Sequence, residues 1–133
     1  MSIKVAITQF SKSLVYDENL AKADPLIAKA TSKGAQLVLL PELFEGHYFC
    51  QVENYDNFGL AEDRASSKTL KHFEAVAKKY HVVLPVSFFE KAGNCYFNSL
   101  GVINADGSLL GIYRKSHIPT GECYEEKFYF TPG

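Results

Sequence analysis

The sequence predicts an α/β protein in which a mixed sheet carries two helices on one face. Three observations predict it. An alternating apolar run at Ile3, Val5 and Ile7 is followed by a helix-period stretch and a second apolar run at 36–40, a strand–helix–strand unit. A second helix-period stretch at 66–80 leads into another apolar run at Val82–Phe89. Two further apolar runs then flank Asp106-Gly107, a strong hairpin signal.

Each element has a local reason. Ile3, Val5 and Ile7 alternate with Lys4, Ala6 and Thr8 and read as a mostly buried strand. Asp17 is placed to cap the first helix, with Glu18 in its first turn to suit the dipole. Leu20, Ala23, Ile27 and Ala30 recur at spacings of three and four, one helix face, and Gly34 supplies the stop. Pro25 inside this pattern costs about 3 kcal/mol in a regular helix interior, so a kink or a break is expected there.

Gln36 to Leu40 lacks polar alternation and suits a strand covered on both faces, closed by Pro41. Phe44 to Arg64 is aromatic-rich and aperiodic and reads as a long loop. Ser66 or Ser67 caps a second helix whose apolar face is Leu70, Phe73, Val76, Ala77 and Tyr80. Pro85 within Val82–Phe89 argues for a sheet edge, a bulge or an irregular ladder. Tyr96–Ile103 and Leu109–Tyr113 form the hairpin, and a loop follows from Arg114 onward. Several strands are apolar on both faces, so a second layer is expected to cover the face that the helices do not.

Composition narrows the function. With 14 Lys+Arg against 15 Asp+Glu the net charge is −1, which leaves no basic footprint for nucleic acid. An apolar fraction of 47% excludes a disordered polar tract, and 133 residues point to one domain. No apolar stretch is long enough to span a membrane, and no signal peptide is visible. Cys50, Cys95 and Cys123 form no C-x-x-C pair and are expected as free thiols in a reducing cytoplasm. His47 and Cys50 have a metal-like spacing, but no second pair completes a site.

Three charged residues are candidates for chemistry. Glu42 follows the end of a buried strand, where open α/β sheets place their ligands, and a carboxylate partly withdrawn from water there suits general acid–base work. Lys115 leaves the last hairpin strand and could hold a fixed positive charge toward a developing oxyanion. Glu126 lies in a mixed-charge loop that local reading alone treats as solvated. His117 could support the lysine loop, and His72 and His81 read as structural. Cys95 reads as a small buried apolar residue, while Cys50 sits in an aromatic loop and could line a pocket.

Taken together, these segments resemble the nitrilase superfamily of carbon–nitrogen hydrolases. Leu39-Leu40-Pro41-Glu42-Leu43-Phe44 is similar to its glutamate motif, and Tyr113-Arg114-Lys115-Ser116-His117-Ile118-Pro119 to its lysine motif. Glu126-Lys127-Phe128-Tyr129-Phe130 with Pro132-Gly133 resembles the segment bearing a further active-site glutamate. The wording Glu42-Leu43-Phe44-Glu45-Gly46, Tyr48-Phe49-Cys50-Gln51 and Pro85-Val86-Ser87-Phe88-Phe89-Glu90 is similar to the N-carbamoylputrescine amidase branch. Thr120-Gly121-Glu122-Cys123 departs from that branch's usual Asp/Gly/Pro-rich loop.

The resemblance implies the N-terminal half of a four-layer αββα sandwich, with residues 1–133 a single incomplete domain lacking its C-terminal half. It implies hydrolysis of N-carbamoylputrescine to putrescine, ammonia and carbon dioxide, with no metal or organic cofactor. Glu42 would be the general base and acid, Lys115 would stabilise the oxyanion, and Glu126 would orient the lysine and the substrate. The family's nucleophilic cysteine belongs to a motif beyond Glu126, which Cys50, Cys95 and Cys123 do not match. The implied partner is a small carbamoyl amine or amide, with homo-oligomers expected of the complete protein and catalytic inactivity expected of this chain alone. The competing reading is a non-catalytic amine- or amide-binding module, or half of a split protein.

Overall fold

The structure is a computed structural model that describes residues 2–133. Strand β1 (Val5–Ile7), helix α1 (Tyr16–Ser32) and strand β2 (Leu37–Leu39) form the expected crossover, with β1 and β2 parallel and Val5 opposite Leu37. Helix α1 ends as Gly34 predicts. Gly34 has φ +84°, its N–H bonds the Thr31 carbonyl, and the Ala35 N–H bonds that of Ala30, the paired closure that a left-handed residue after a helix permits.

The start of α1 differs from expectation. Val15, not Asp17, is the N-cap, and it contributes no side-chain cap. The buried Asn19 takes over by accepting the Ser13 N–H (2.7 Å) and donating to the Ser13 carbonyl (2.8 Å). Pro25 does not break the helix, which runs unbroken from Tyr16 to Ser32. The proline and Ala21, whose carbonyl loses its partner, both lie on the solvent side where water replaces the bond. Ala23 and Ile27 on either side of Pro25 are fully buried and hold the helix down.

The 44–64 segment is more ordered than a loop. It contains 3₁₀ turns at Phe49–Gln51 and Tyr55–Leu60 and a short strand β3 (Glu62–Asp63). Ser67 caps helix α2 (Lys68–Tyr80), accepting the Leu70 N–H at 3.0 Å. His81 closes α2 in the left-handed conformation, φ +51°, where glycine is usual. Strands β4 (Leu84–Ala92), β5 (Cys95–Ile103) and β6 (Leu109–Arg114) form an antiparallel meander, with β3 parallel to β4 at its outer edge. The hairpin turn at Asp106-Gly107 is present, with Gly107 at φ +88°. The β4–β5 hairpin turns on Gly93-Asn94, a two-residue signal legible in the sequence but not singled out there. Glu126–Tyr129 form a short helix, α3, where only loop was expected.

Pro85 does what its position suggested. Val83 exchanges hydrogen bonds with β2 through Gln36 and Val38, both at 3.0 Å. Two residues on, Pro85 faces the same side and has no N–H to offer, so pairing between β2 and β4 stops. Strand β3 pairs with β4 only from Glu90 onward. The result is two sheets, β1–β2 and β3–β4–β5–β6, with a gap in strand cover along β4 between Pro85 and Phe89.

The core lies on the helix side. Ile27, Leu70 and Phe73 meet Leu84, Val86, Phe88 and Ile103, and Phe44 packs edge-on against Phe73 at 5.4 Å. On the opposite face an aromatic cluster gathers Leu43, Cys50, Phe89, Tyr129 and Phe130. Elsewhere on β1 and β2 the strands are bare: Val5, Ile7 and Leu39 are 57%, 80% and 38% exposed. The expectation that β1 is mostly buried and β2 covered on both faces therefore fails within these residues. The helices cover one side only, and the registered pairs Val5–Leu37 and Ile7–Leu39 place the exposed side chains together on the other.

The two faces predict opposite mutational responses. Phe73→Ala is expected to cost about 3–5 kcal/mol of unfolding free energy through lost burial and a cavity. Ile7→Thr is expected to change it by no more than about 0.5 kcal/mol. Urea titration of the two variants checks the contrast.

Candidate active site

Glu42 is presented by a strained turn built into the gap beside β4. Leu43, just after it, has φ +47°, a conformation that costs a side chain free energy and persists only when held. Two groups hold it. The Leu43 N–H donates to the buried Ser87 Oγ of β4 at 2.9 Å. Lys12, from the β1–α1 connection, donates its Nζ to the carbonyls of Glu42 (3.3 Å) and Leu43 (3.4 Å). Burial lowers the Lys12 pKa, while the nearby Glu42 charge works against that shift.

Lys115 arrives from the other edge of the meander. Its N–H donates to the Asn98 carbonyl of β5 (2.9 Å), and its own carbonyl accepts the Gly133 N–H (2.9 Å). Next to it, Arg114 grips the almost fully buried Glu90 with two hydrogen bonds of 2.8 and 2.7 Å and lies 3.9 Å above the Phe97 ring. That bidentate pair holds the Glu90 carboxyl below the ordinary glutamate value, outweighing burial. With Arg114 fixed on one side of β6, Lys115 projects to the other.

Glu126 opens α3, which is anchored by Tyr129 and Phe130 in the aromatic cluster. The Tyr129 hydroxyl donates to the Val52 carbonyl (2.6 Å) and accepts the Asn54 N–H (2.9 Å). Glu126 is buried and keeps its carboxylate satisfied on both oxygens. Tyr48 donates its hydroxyl to Oε1 at 2.7 Å, and Lys115 donates to Oε2 at 2.8 Å.

The three sequence-selected residues therefore meet. The Lys115 ammonium lies 3.2 Å from Glu42 Oε1 and 2.8 Å from Glu126 Oε2, and Asn98 Nδ2 donates to the same Glu42 oxygen at 2.6 Å. Burial opposes the charged lysine, but the hydrogen bonds from Glu126 and Glu42 outweigh it and raise the Lys115 pKa above the ordinary lysine value. Burial, then the bond to Glu126, pushes the Tyr48 phenol upward. The arrangement is graded: the Glu126 side chain is 5% exposed, Lys115 30% and Glu42 56%. Glu42 is thus open to solvent rather than withdrawn from it. A fixed cation between one buried and one open carboxylate can hold a developing oxyanion while the open carboxylate moves protons.

The remaining cysteines and histidines lie outside this cluster of charges. Cys50 is fully buried and borders this site, but burial, then the Glu126 charge, pushes its thiol up to about 12, so it furnishes no thiolate near neutrality. Cys95 is exposed, not a buried apolar residue, because it follows directly on the Gly93-Asn94 turn. His117 is exposed and makes no side-chain hydrogen bond among the described residues. His72 is structural, bonded to Asp24 of α1 at 2.9 Å. Among the described residues no three His, Cys, Asp or Glu side chains group as a metal requires. Sequence reasoning missed Asn98, Tyr48, Ser87 and Lys12. Only Asn98 and Ser87 left a signal, as polar residues inside apolar strands that must find partners when buried.

Comparison with known proteins identifies the family. Residues 4–133 match the carbon–nitrogen hydrolase family. The chain belongs to that family. It is 50% identical over 131 residues to the N-carbamoylputrescine amidase of Oryza sativa subsp. japonica, covering 98% of this chain and 44% of the relative. It is 47% identical over 132 residues to the citrullinase of Francisella tularensis subsp. tularensis, covering 99% and 46%. The crystal structure of a carbon–nitrogen hydrolase from Helicobacter pylori G27 superimposes with a TM-score of 0.91 at 39% identity, over 98% of this chain and 45% of that one. This carbon–nitrogen hydrolase chain spans about half the length of the curated relatives it matches, and its fold is the corresponding part of the nitrilase-superfamily fold.

Two outcomes are expected. Ser87→Ala orphans the Leu43 N–H in a buried setting and should cost about 1–3 kcal/mol, read by chemical denaturation. Glu126→Gln removes the main support of the Lys115 ammonium and should lower its pKa, read from the side-chain carbon shifts of Lys115 in an NMR titration.

Proposed function

We propose that this chain supplies the acid–base and oxyanion-binding part of a thiol amidohydrolase acting on carbamoyl amines, with N-carbamoylputrescine as its substrate. One observation carries the reading: a single ammonium, Lys115, hydrogen-bonded to both Glu42 and Glu126. The similarity to relatives named N-carbamoylputrescine amidase and citrullinase supports the choice of a carbamoyl substrate.

In this reading the nucleophilic thiol comes from polypeptide beyond Glu126 that packs against the same site. Glu42, open to solvent and steadied by Asn98, takes the thiol proton as sulfur attacks the carbamoyl carbon. The carbonyl oxygen becomes an oxyanion and lies against Lys115, whose charge Glu126 holds in place. Glu42 returns the proton to nitrogen as ammonia leaves, which forms a thiocarbamate. Water, deprotonated by Glu42, then attacks that intermediate. The thiol regains a proton, and the released carbamic acid separates into carbon dioxide and putrescine. The resonance of the carbamoyl group makes attack slow without such a charge-matched site.

The bare side of β1 and β2, with Val5, Ile7 and Leu39, supports the reading that further polypeptide of the domain covers this chain in the active protein. We place that protein in a reducing cytoplasm, given three free cysteines, and expect it to be a homo-oligomer.

The test is ammonia release from N-carbamoylputrescine by the chain alone and after co-expression with the C-terminal part of the rice relative. The chain alone should be inactive. The complemented protein should turn over, and Glu42→Ala should slow it about 10²–10⁴-fold. Turnover by the chain alone that Glu42→Ala abolishes would sink the external thiol. Turnover of the complemented protein that Glu42→Ala leaves unchanged would sink the role of Glu42.

A further inference from the structure

One carboxylate beside the site has no part in the chemistry above. Glu45 lies three residues after Glu42, at the far end of the same turn, and its side chain bridges two elements. One oxygen accepts the Thr69 hydroxyl of α2, and the other accepts the Phe89 N–H of β4 at 3.4 Å. Its backbone carbonyl accepts the Asn19 side-chain amide of α1 at 3.0 Å. We propose that Glu45 is a positioning residue for Glu42, a latch that pins the strained turn into the gap along β4 left open by Pro85.

The topology explains why a latch is needed. Phe89 faces the stretch of β4 where β2 has departed and β3 has not yet begun, so its N–H has no strand partner. Glu45 supplies the missing acceptor, as Ser87 Oγ supplies one for Leu43. Phe89 is registered opposite Asn98, the residue that donates to Glu42. The latch and the Asn98 contact therefore bear on one point of the sheet. Beside the turn lies a cavity of about 790 Å³ bordered by Leu43, Glu45, Tyr48 and Phe89. Leu43 and Phe44 of the turn pack into the two apolar clusters, and Glu45 adds polar contacts at the end that borders the cavity.

The charged and titratable neighbours come from every side. Tyr16 of α1 shares the Thr69 hydroxyl at 3.1 Å, and burial first of all pushes its phenol up to about 12. Lys68 of α2 lies 3.7 Å over the Tyr16 ring. Glu62 of β3 accepts from Ser67 Oγ and from the Thr69 N–H (3.3 Å). Strand β4 presents only the Phe89 N–H. Burial, with Glu62 adding to it, outweighs the Thr69 and Phe89 hydrogen bonds and Lys68, and pushes Glu45 from 4.5 up to about 7. The folded state then binds this proton more tightly than the unfolded state. The group's contribution to stability is complete below about 4.5 and is lost as pH rises through 7. The same proton changes what Thr69 and Phe89 hold, so the turn is expected to respond near neutrality.

The functional weight of the latch rests on the acid–base role proposed for Glu42, but the latch itself does not, and the experiment reads it without turnover. NMR titration of the chain from pH 5 to 9 should show the Glu42 carboxyl carbon and the Asn98 side-chain amide inflecting with Glu45. Glu45→Gln should abolish that inflection and flatten the thermal stability over the same range. It should also keep the Phe89 amide protected, because its side-chain oxygen still accepts. Glu45→Ala should speed exchange of the Phe89 and Leu43 amides at least tenfold. If Glu45→Ala does not fold, Glu45→Gln decides alone. Glu42 and Asn98 signals that ignore the Glu45 titration, or that keep their inflection in Glu45→Gln, would overturn the latch, whatever the ammonia assay shows.

Discussion

The site depends on one ammonium ion held between two carboxylates. Lys115 reaches Glu42 and Glu126 at once, and each partner comes from a different part of the chain. Glu126 is buried, and burying a carboxylate is costly unless both oxygens find good partners. Tyr48 and Lys115 meet that requirement. The aromatic cluster that seats α3 thus serves an electrostatic end: it fixes the helix that carries Glu126, and through it the lysine.

Sheet topology sets the other half of the geometry. Pro85 ends pairing with β2 because it lacks an N–H, and β3 rejoins β4 only at Glu90. An opening is left along β4 between the end of β2 pairing and the start of β3, and the Glu42 turn fills it. The strain at Leu43 is supported by Ser87, Lys12 and Glu45, all anchored outside the turn. The Arg114–Glu90 pair acts in the same way on β6. By engaging Arg114 on one side of the strand, it leaves Lys115 on the other.

Burial is uneven between the two faces of β1 and β2. The helix-side core is complete, with Phe44, Phe73 and Phe88 fully enclosed, while Val5 and Ile7 stand in solvent. The alternation of β1 reads as a buried strand because its side chains are apolar. Whether a strand face is covered depends on what packs against it, and nothing in the strand's own residues records that.

Local chemistry settled much of this molecule in advance. The helix periods, the stop at Gly34, a serine cap at 66 or 67, the Asp106-Gly107 turn and the disruption at Pro85 are all short-range effects of side-chain shape and backbone freedom, and each appears in the structure, the cap at Ser67. Glu42 and Lys115 were candidates from their places at strand ends, and the motif resemblance supplied their roles and added Glu126, which local reading treated as a solvated loop residue. Tertiary structure decided what depends on distant partners. It made Glu126 buried, left Glu42 open, raised the Cys50 thiol beyond use, and brought Asn98, Tyr48 and Lys12 to the site. The contacts of Asn98, Tyr48 and Lys12 join groups that face each other across 30 to 78 residues of sequence, and neighbouring residues carry no imprint of such separations.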